Sequence, residues 1–317
     1  MKFIITVDTE ADSQWDKKES ITLKNIFFLP RFQSLCEKYD FKPTYLLSYE
    51  VAADNDSIKI LKPWIDSGVA EMGAHLHPWT TPPLDKDIIL GLKNHRFPCE
   101  LSDQELKNKL FNLTKIIENN FGKRPISFRA GRWGINERVI KELDNLKYQV
   151  DCSVTPKINW RNTVGDPEKS GGPDFRFCPS MPYYWNNTDI LEIPMTILFT
   201  GLYRKDNSKF VRHFLKLPDS FLKKILNRLF FRQKWLRIFD NSNLSDFERL
   251  HKSAIKNNLP VLEFMIHSSE LMPGGSIYYK DEKSIERLYD KLEEMLKYFK
   301  SNNLEGATLD QFKKNIK

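Results

Sequence analysis

Cysteine is scarce in this sequence. There are four among 317 residues (Cys36, Cys99, Cys152 and Cys178), widely spaced and with no C-x-x-C pair. That excludes a disulfide scaffold, fits a reduced compartment and predicts buried, unreactive thiols. No apolar run approaches the roughly 20 residues that span a bilayer. The opening Met1-Lys2-Phe3-Ile4-Ile5-Thr6-Val7-Asp8 meets an acid too early for a signal-peptide core, so no export signal is read and the cytoplasm is expected. There is no internal repeat and no low-complexity linker. Aromatic residues, at 13%, are too many for a disordered chain.

Charge is unevenly placed. The chain is +7, from 49 Lys/Arg and 42 Asp/Glu, yet residues 203–240 hold eleven basic and three acidic side chains, a local +8. Subtracting 8 from 7 leaves −1 for the remainder, so a near-neutral body carries one basic segment. A protein that coats nucleic acid would spread its charge more widely, and no nucleic-acid partner is expected.

At about 150 residues per domain the length allows two domains, or one α/β barrel. Apolar runs rich in β-branched residues at Phe3–Thr9, Pro43–Val51, Val69–His77, Ser127–Gly131, Gln149–Val154, Ile190–Ile197 and Pro260–His267 read as strands. Helical patterns lie between them, at Leu23–Tyr39, Ser57–Asp66, Ser102–Asn120, Asn136–Asn145 and Asp281–Lys300. Ser102 opens its helix with the Ser-x-x-Glu spacing of a capping box. A last short strand is expected at Ala307–Leu309. This alternation predicts a single parallel β/α domain over 1–317, with a basic helical insertion at about 203–257.

Residues two apart on a strand share a face. Asp8 and Glu10 therefore point the same way at the end of the first strand, and His75 and His77 at the end of the third. In parallel β/α folds the strand C-termini form the reactive face. Two imidazoles and a carboxylate there are a usual catalytic zinc set with room for water. Taken alone, an Asp at a strand end is more often a loop cap, and a lone His a hydrogen-bonded structural residue. The His-x-His pair, preceded by Gly73-Ala74 and followed by Pro78-Trp79, is less easily structural.

Five segments, in order, resemble the motifs of the polysaccharide deacetylases, the NodB-homology enzymes of carbohydrate esterase family 4. They are Thr6-Val7-Asp8-Thr9-Glu10; Glu71-Met72-Gly73-Ala74-His75-Leu76-His77-Pro78-Trp79; Phe128-Arg129-Ala130-Gly131-Arg132-Trp133-Gly134; Asp151-Cys152-Ser153-Val154-Thr155-Pro156; and a stretch from Phe264 through His267-Ser268-Ser269-Glu270-Leu271 to Ser276. They cover residues 3 to about 276. The H-x-H-P-W and H-S-S-E-L segments are similar to a WalW-like subgroup associated with lipopolysaccharide gene clusters.

The resemblance implies a distorted (β/α)7 barrel that removes an N-acyl group from a sugar with one divalent metal, zinc first, then cobalt, nickel or manganese. By position it implies Glu10, His75 and His77 as metal ligands and Asp8 as general base. Arg129 would hold Asp8 ionised, His267 would be the general acid, and Asp151 would orient His267. The chemistry is coherent without the family. A carboxylate beside an arginine stays able to accept a proton, and a histidine beside an acid stays able to donate one. Backbone N–H groups near Gly131–Gly134 would complete an oxyanion hole.

The sequence departs from the family pattern in three places. Thr9 separates two acids that are usually adjacent aspartates, so Asp8 and Glu10 could exchange roles. The histidines are two apart rather than four. Ala130-Gly131-Arg132-Trp133 replaces a proline-aromatic turn. The expected activity is N-deacetylation, in surface-glycan or lipopolysaccharide biosynthesis, of an acylated sugar, nucleotide-sugar or lipid-linked glycan. The alternatives are a deformylase of a lipid-linked amino sugar and a glycan-binding protein with a vestigial site. An amidohydrolase-type barrel ranks lower, because its H-x-H lies on the first strand.

Trp79 and Trp133 follow the motifs and are candidates for stacking on sugar rings, as are Trp160 and Trp185, although packing accounts for each as well. Glu263 shares a strand face with His267 and reads as a buried acid with an unidentified partner. His95, His213 and His251 read as structural or exposed. Residues 221–239, FLKKILNRLFFRQKWLRIF, place Leu222, Ile225, Leu226 and Leu229 at helical spacing. The plain reading is a helix packed on the barrel with a solvated basic face; the alternative is peripheral contact with the inner face of a membrane.

Overall fold

The computed structural model describes residues 1–12, 21–85, 96–165, 171–206 and 208–316. The strands are β1 (Lys2–Thr9), β2 (Pro43–Leu47), β3 (Glu71–Leu76), β4 (Ser127–Ala130), β5 (Val150–Asp151), β6 (Tyr183–Tyr184), β7 (Leu191–Glu192), β8 (Ile197–Phe199), β9 (Gln233–Trp235), β10 (Val261–His267) and β11 (Glu305–Gly306). The helices are α1 (Leu29–Lys38), α2 (Tyr49–Ala53), α3 (Asn55–Asp66), α4 (Asp103–Phe121), α5 (Glu137–Asn145), α6 (Lys209–Lys216), α7 (Phe221–Leu226), α8 (Leu244–Lys256), α9 (Glu282–Ser301) and α10 (Leu309–Asn315).

Seven strands run parallel in the order β10-β1-β2-β3-β4-β5-β7. The sheet curls into a half-barrel, the distorted (β/α)7 form expected. Its open side is bridged beside β10, where Thr196 N–H donates to the Glu263 carbonyl (3.4 Å) and Glu263 N–H donates to Thr196 Oγ1 (2.8 Å). β6 adds antiparallel to β7, and β11 adds parallel to β1. Because the strands are covered on both faces, apolar residues fall on both, and the polar ones gather in the upper barrel interior.

The barrel interior is layered. Side chains from alternate positions form an apolar floor of Ile4, Leu46, Val150 and Leu191, closed from below by Leu309 and Phe312 of α10. Gly73 belongs to this interior: a Cβ there would lie 2.6 Å from both Leu46 Cδ2 and the Ser127 carbonyl. Above the floor the same faces carry Thr6, Arg129 and Glu263, and then Asp8, His75 and His267 at the mouth. A separate, larger core lies between the outside of the sheet and the helices. α4 shows why local sequence suffices for a helix. Ser102 caps it with Glu105 in reciprocal bonds, and Gly122 ends it at φ 73°.

Several elements differ from the sequence expectation. The helix expected at Leu23–Tyr39 is a 3-10 turn, Lys24–Phe28, followed by α1, with Pro30 in the first turn where its missing N–H is harmless. The strand expected at Pro43–Val51 stops at Leu47, and α2 begins after Ser48. The strand expected at Ile190–Ile197 splits into β7 and β8 around Pro194, which cannot donate to a ladder. The strand expected at Ala307–Leu309 lies earlier, at Glu305–Gly306, and Leu309 begins α10.

The single helix suggested by residues 221–239 is three pieces: α7, a π turn at Asn227–Phe231, and β9, which pairs antiparallel with β8. Arg232 at φ 51° makes the change of direction. The Leu222, Ile225 and Leu229 side chains are exposed, so the plain packed-stripe reading is overturned. Among the described residues, no helix is long and apolar enough to cross a membrane.

Candidate metal centre

The parallel register brings the motif residues together. Asp8 on β1 is opposite His267 on β10, His75 on β3 is opposite Arg129 on β4, and Phe128 pairs with Asp151 on β5. Glu10 and His77 fall just past the ends of their strands, where the backbone turns over the barrel mouth.

Glu10, His75 and His77 are buried, and their ligand atoms lie within 4.8 Å of one another. Glu10 Oε2 is 3.4 Å from His75 Nε2 and 3.1 Å from His77 Nε2. His75 Nδ1 lies 3.1 Å from the Arg129 carbonyl, and a hydrogen bond donated there leaves Nε2 with its lone pair toward Glu10. Trp79 is buried and stacks on His77 at 4.2 Å and 20°. Gly131 leaves room for that ring, since a Cβ there would lie 2.6 Å from the Leu76 carbonyl and overlap the His77 ring. Three carboxylates (Asp8, Glu10 and Glu263) share this interior with one guanidinium. One hard oxygen donor, two imidazole nitrogens and an excess of buried negative charge suit a divalent cation.

Arg129 is fully buried and organises the layer beneath. It donates to Asp8 Oδ1 (2.6 Å), to Glu263 Oε1 (2.5 Å) and through Nε to the Cys152 carbonyl (3.0 Å). The unidentified partner of Glu263 is therefore Arg129, with Thr6 Oγ1 donating to the same carboxylate at 2.5 Å. Burial pushes the Asp8 carboxyl up, but Arg129, then His75 and His267, outweigh it and leave it below its ordinary value. Burial leaves the Glu263 carboxyl above its ordinary value despite Arg129.

His267 Nε2 is 3.9 Å from Asp8 Oδ2 across the site. The acid beside its Nδ1 is Glu270, at 3.6 Å, and Arg237 contacts both, at 3.2 Å from Nδ1 and 2.8 Å from Glu270 Oε1. Burial would lower the His267 pKa, but Glu270 and Glu10 outweigh burial and Arg237, and it is raised. Arg237 and His267 hold the Glu270 carboxyl down at about 2 against its burial.

Asp151 is the residue the sequence placed differently. Its carboxylate accepts from Ser153 Oγ (2.5 Å), and its register partner on the neighbouring strand β7 is Glu192, not His267. Glu270 stands in the orienting position instead. A motif segment fixes a residue's strand but not which of its neighbours the barrel turns toward it. Glu270 was legible as His-x-x-Glu, the spacing at which the residue three on returns its carboxylate to the His267 backbone N–H (3.2 Å). Arg237 gave no local signal, because it arrives from the basic insertion.

The cavity above these groups is lined by Asp8, Glu10, His75, His77 and His267 on one side and Trp133, Trp160, Phe97, Arg132 and Thr163 on the other. Trp133 thus reaches the cavity as expected, whereas Trp79 supports His77 from behind. Trp235 meets Trp133 and Trp160 edge-on, at 6.4 and 6.3 Å. Arg132 and Trp133 both have positive φ, 54° and 62°, a strained turn at the site. The Gly134 N–H, a candidate oxyanion donor, is spent on the Gly131 carbonyl at 3.1 Å. His213 is exposed and His251 is buried against Tyr298, whereas His95 lies outside the described residues.

No family model matches the chain, and no curated protein matches it. Solved structures do. A presumed polysaccharide deacetylase from Mycobacterium smegmatis superposes at TM-score 0.55 with 11% identity, over 99% of this chain and 90% of that one. The allantoinase PuuE superposes at 0.53 with 13% identity, over 99% and 88%. A GH57 branching enzyme from Thermococcus kodakaraensis superposes at 0.54 with 10% identity, over 100% and 71%. The chain has the half-barrel of the polysaccharide deacetylases. Since neighbours with three different names share it, the fold alone does not choose the reaction.

Proposed function

We propose that the protein is a divalent-metal-dependent hydrolase that removes an N-acyl group, acetyl first, from an amino sugar. The observation that carries this reading is the convergence on one cavity of Glu10, His75 and His77, an ionised Asp8 tied to Arg129, and a His267 backed by Glu270. The neighbour described as a polysaccharide deacetylase supports a sugar substrate, and Trp133 and Trp160 offer it aromatic faces.

Glu10, His75 and His77 would hold the metal, zinc first. When bound, such an ion acidifies a water and polarises the acyl carbonyl. Asp8, kept ionised by Arg129, takes the proton from the attacking water. His267, its pKa raised by Glu270, gives a proton from Nε2 to the leaving amine from the other side of the site. We assign the step to surface-glycan or lipopolysaccharide biosynthesis on the strength of the motif resemblance. The four free cysteines support a reducing compartment, the cytoplasm.

The test is to reconstitute the protein with zinc, count metal, and supply N-acetyl and N-formyl amino sugars in free, nucleotide-linked and lipid-linked form. About one ion per chain is expected, lost in His77→Ala. Asp8→Asn should keep the ion and lose about 10²–10⁴-fold in turnover. A site that stays empty after reconstitution overturns the reading.

A further inference from the structure

We propose that residues 202–206 and 208–232 form a surface that docks onto an anionic lipid bilayer. This segment leaves the barrel through β8 and returns through β9. It has its own small core of Phe199, Val211, Phe214, Leu215 and Phe231, too small to cover its apolar residues. Phe221 is 79% exposed and Leu202 67%, and Phe210, Leu222 and Leu229 are each more than half exposed. Beside them lies a groove of ≈ 490 Å³, walled by Tyr203, Phe210, Phe214, Leu226, Phe230 and Phe231. So much large apolar surface within one short segment marks an interaction site.

The charge identifies what covers it. Residues 204–232 contain nine Lys/Arg and two Asp, and 9 − 2 = +7 equals the charge of the whole chain. Lys209, Arg212, Lys216, Lys224, Arg228 and Arg232 are exposed. The two acids are already neutralised, Asp206 by Lys157 (3.0 Å) and Asp219 by Lys223 (2.9 Å). A second copy of the chain would set +7 against +7. A nucleic-acid duplex would meet the cations but offer no apolar volume to Phe221 and Leu222. An anionic bilayer satisfies both, with phosphates for the cations and an acyl layer for Phe and Leu. The segment leads by chain into the wall of the cavity described above: three residues after Arg232, Trp235 meets two tryptophans that line it, and Arg237 pairs with Glu270 beside His267.

The experiment is co-sedimentation of the full chain with phosphatidylcholine vesicles, with and without phosphatidylglycerol, at low and high salt. Binding is expected only with phosphatidylglycerol and should weaken with salt. It should fall more than about tenfold in Lys209→Gln/Arg212→Gln/Lys224→Gln/Arg228→Gln, and comparably in Phe221→Ser/Leu222→Ser. These side chains are exposed, and circular dichroism is the check that the variants fold. Equal binding to both vesicle types, no binding to either, or binding unchanged in either variant overturns the proposal. So does a dimer in sedimentation velocity that the Phe221→Ser/Leu222→Ser change abolishes, which would make a second copy the occupant. None of these readouts depends on metal or turnover, so the proposal and the hydrolase reading fail separately.

Discussion

A single missing methyl group decides how His77 sits. Gly131 lies under the imidazole, and any Cβ there meets both the ring and the Leu76 carbonyl. The backbone cannot retreat, because Gly131 begins the strained turn that carries Trp133. Gly131→Ala should therefore push His77 aside while leaving the strands intact. Metal affinity is expected to drop by about 10–100-fold, the usual penalty for disturbing a ligand's support. Titration with a chelator-buffered zinc series checks this, and circular dichroism should show an unchanged fold. Trp79 acts on the same ring from its other neighbour, which makes it a positioning residue rather than a sugar contact.

At the scale of elements, charged side chains tie strands and loops that hydrogen-bond ladders alone leave loose. Lys109 of α4 is buried and donates to the carbonyls of Pro78 (2.8 Å), Thr81 (2.6 Å) and Pro83 (2.5 Å), holding the chain that leaves His77. β5 and β7 are two residues each, and two buried acids, Asp151 and Glu192, stand opposite each other across them. Glu192 accepts from Val154 N–H (3.0 Å) and Trp185 Nε1 (3.2 Å). Burial, with Asp151 beside it, raises the Glu192 pKa well above 4.5. A carboxyl raised in the folded state stabilises fully below its unfolded pKa and loses that contribution as pH rises through the folded one. The pair should therefore erode stability from mildly acidic toward alkaline pH. Glu192→Gln cannot ionise. Its melting temperature should gain on the parent's progressively as pH rises, and a gap that is constant with pH would refute the raised Glu192 pKa.

For the whole molecule, Arg129 is the bond between sheet segments distant in sequence. It joins β4 to Asp8 on β1 and to Glu263 on β10, all three side chains being fully or almost fully buried. Arg129→Met would keep the volume but strand two buried carboxylates. The expected loss is about 3–5 kcal/mol of unfolding free energy in urea titration, well beyond the effect of losing any surface pair. A change under about 1 kcal/mol, the scale of an exposed pair, would mean that the carboxylates find other compensation. The same contact lowers the Asp8 pKa, so in the proposed hydrolase stability and proton transfer would share one contact.

The seven parallel strands, the capping of α4 and the pairs Asp8/Glu10 and His75/His77 followed from sequence, because strand period and cap chemistry act over a few residues. The gathering of Glu10, His75 and His77, a group that could hold a metal ion, followed too, since parallel strands place their C-terminal ends on one face. What only the tertiary structure decided involves contacts between distant segments. Examples are Glu270 rather than Asp151 beside His267, Arg237 entering from the insertion, Arg129 as the partner of Glu263, and Trp79 behind the site instead of in it. The exposed stripe of 221–229 belongs there as well, since a helical apolar pattern shows that a face must be covered but not by what. Local sequence sets which way a side chain leaves its backbone. Barrel curvature and the return of the insertion set what it meets.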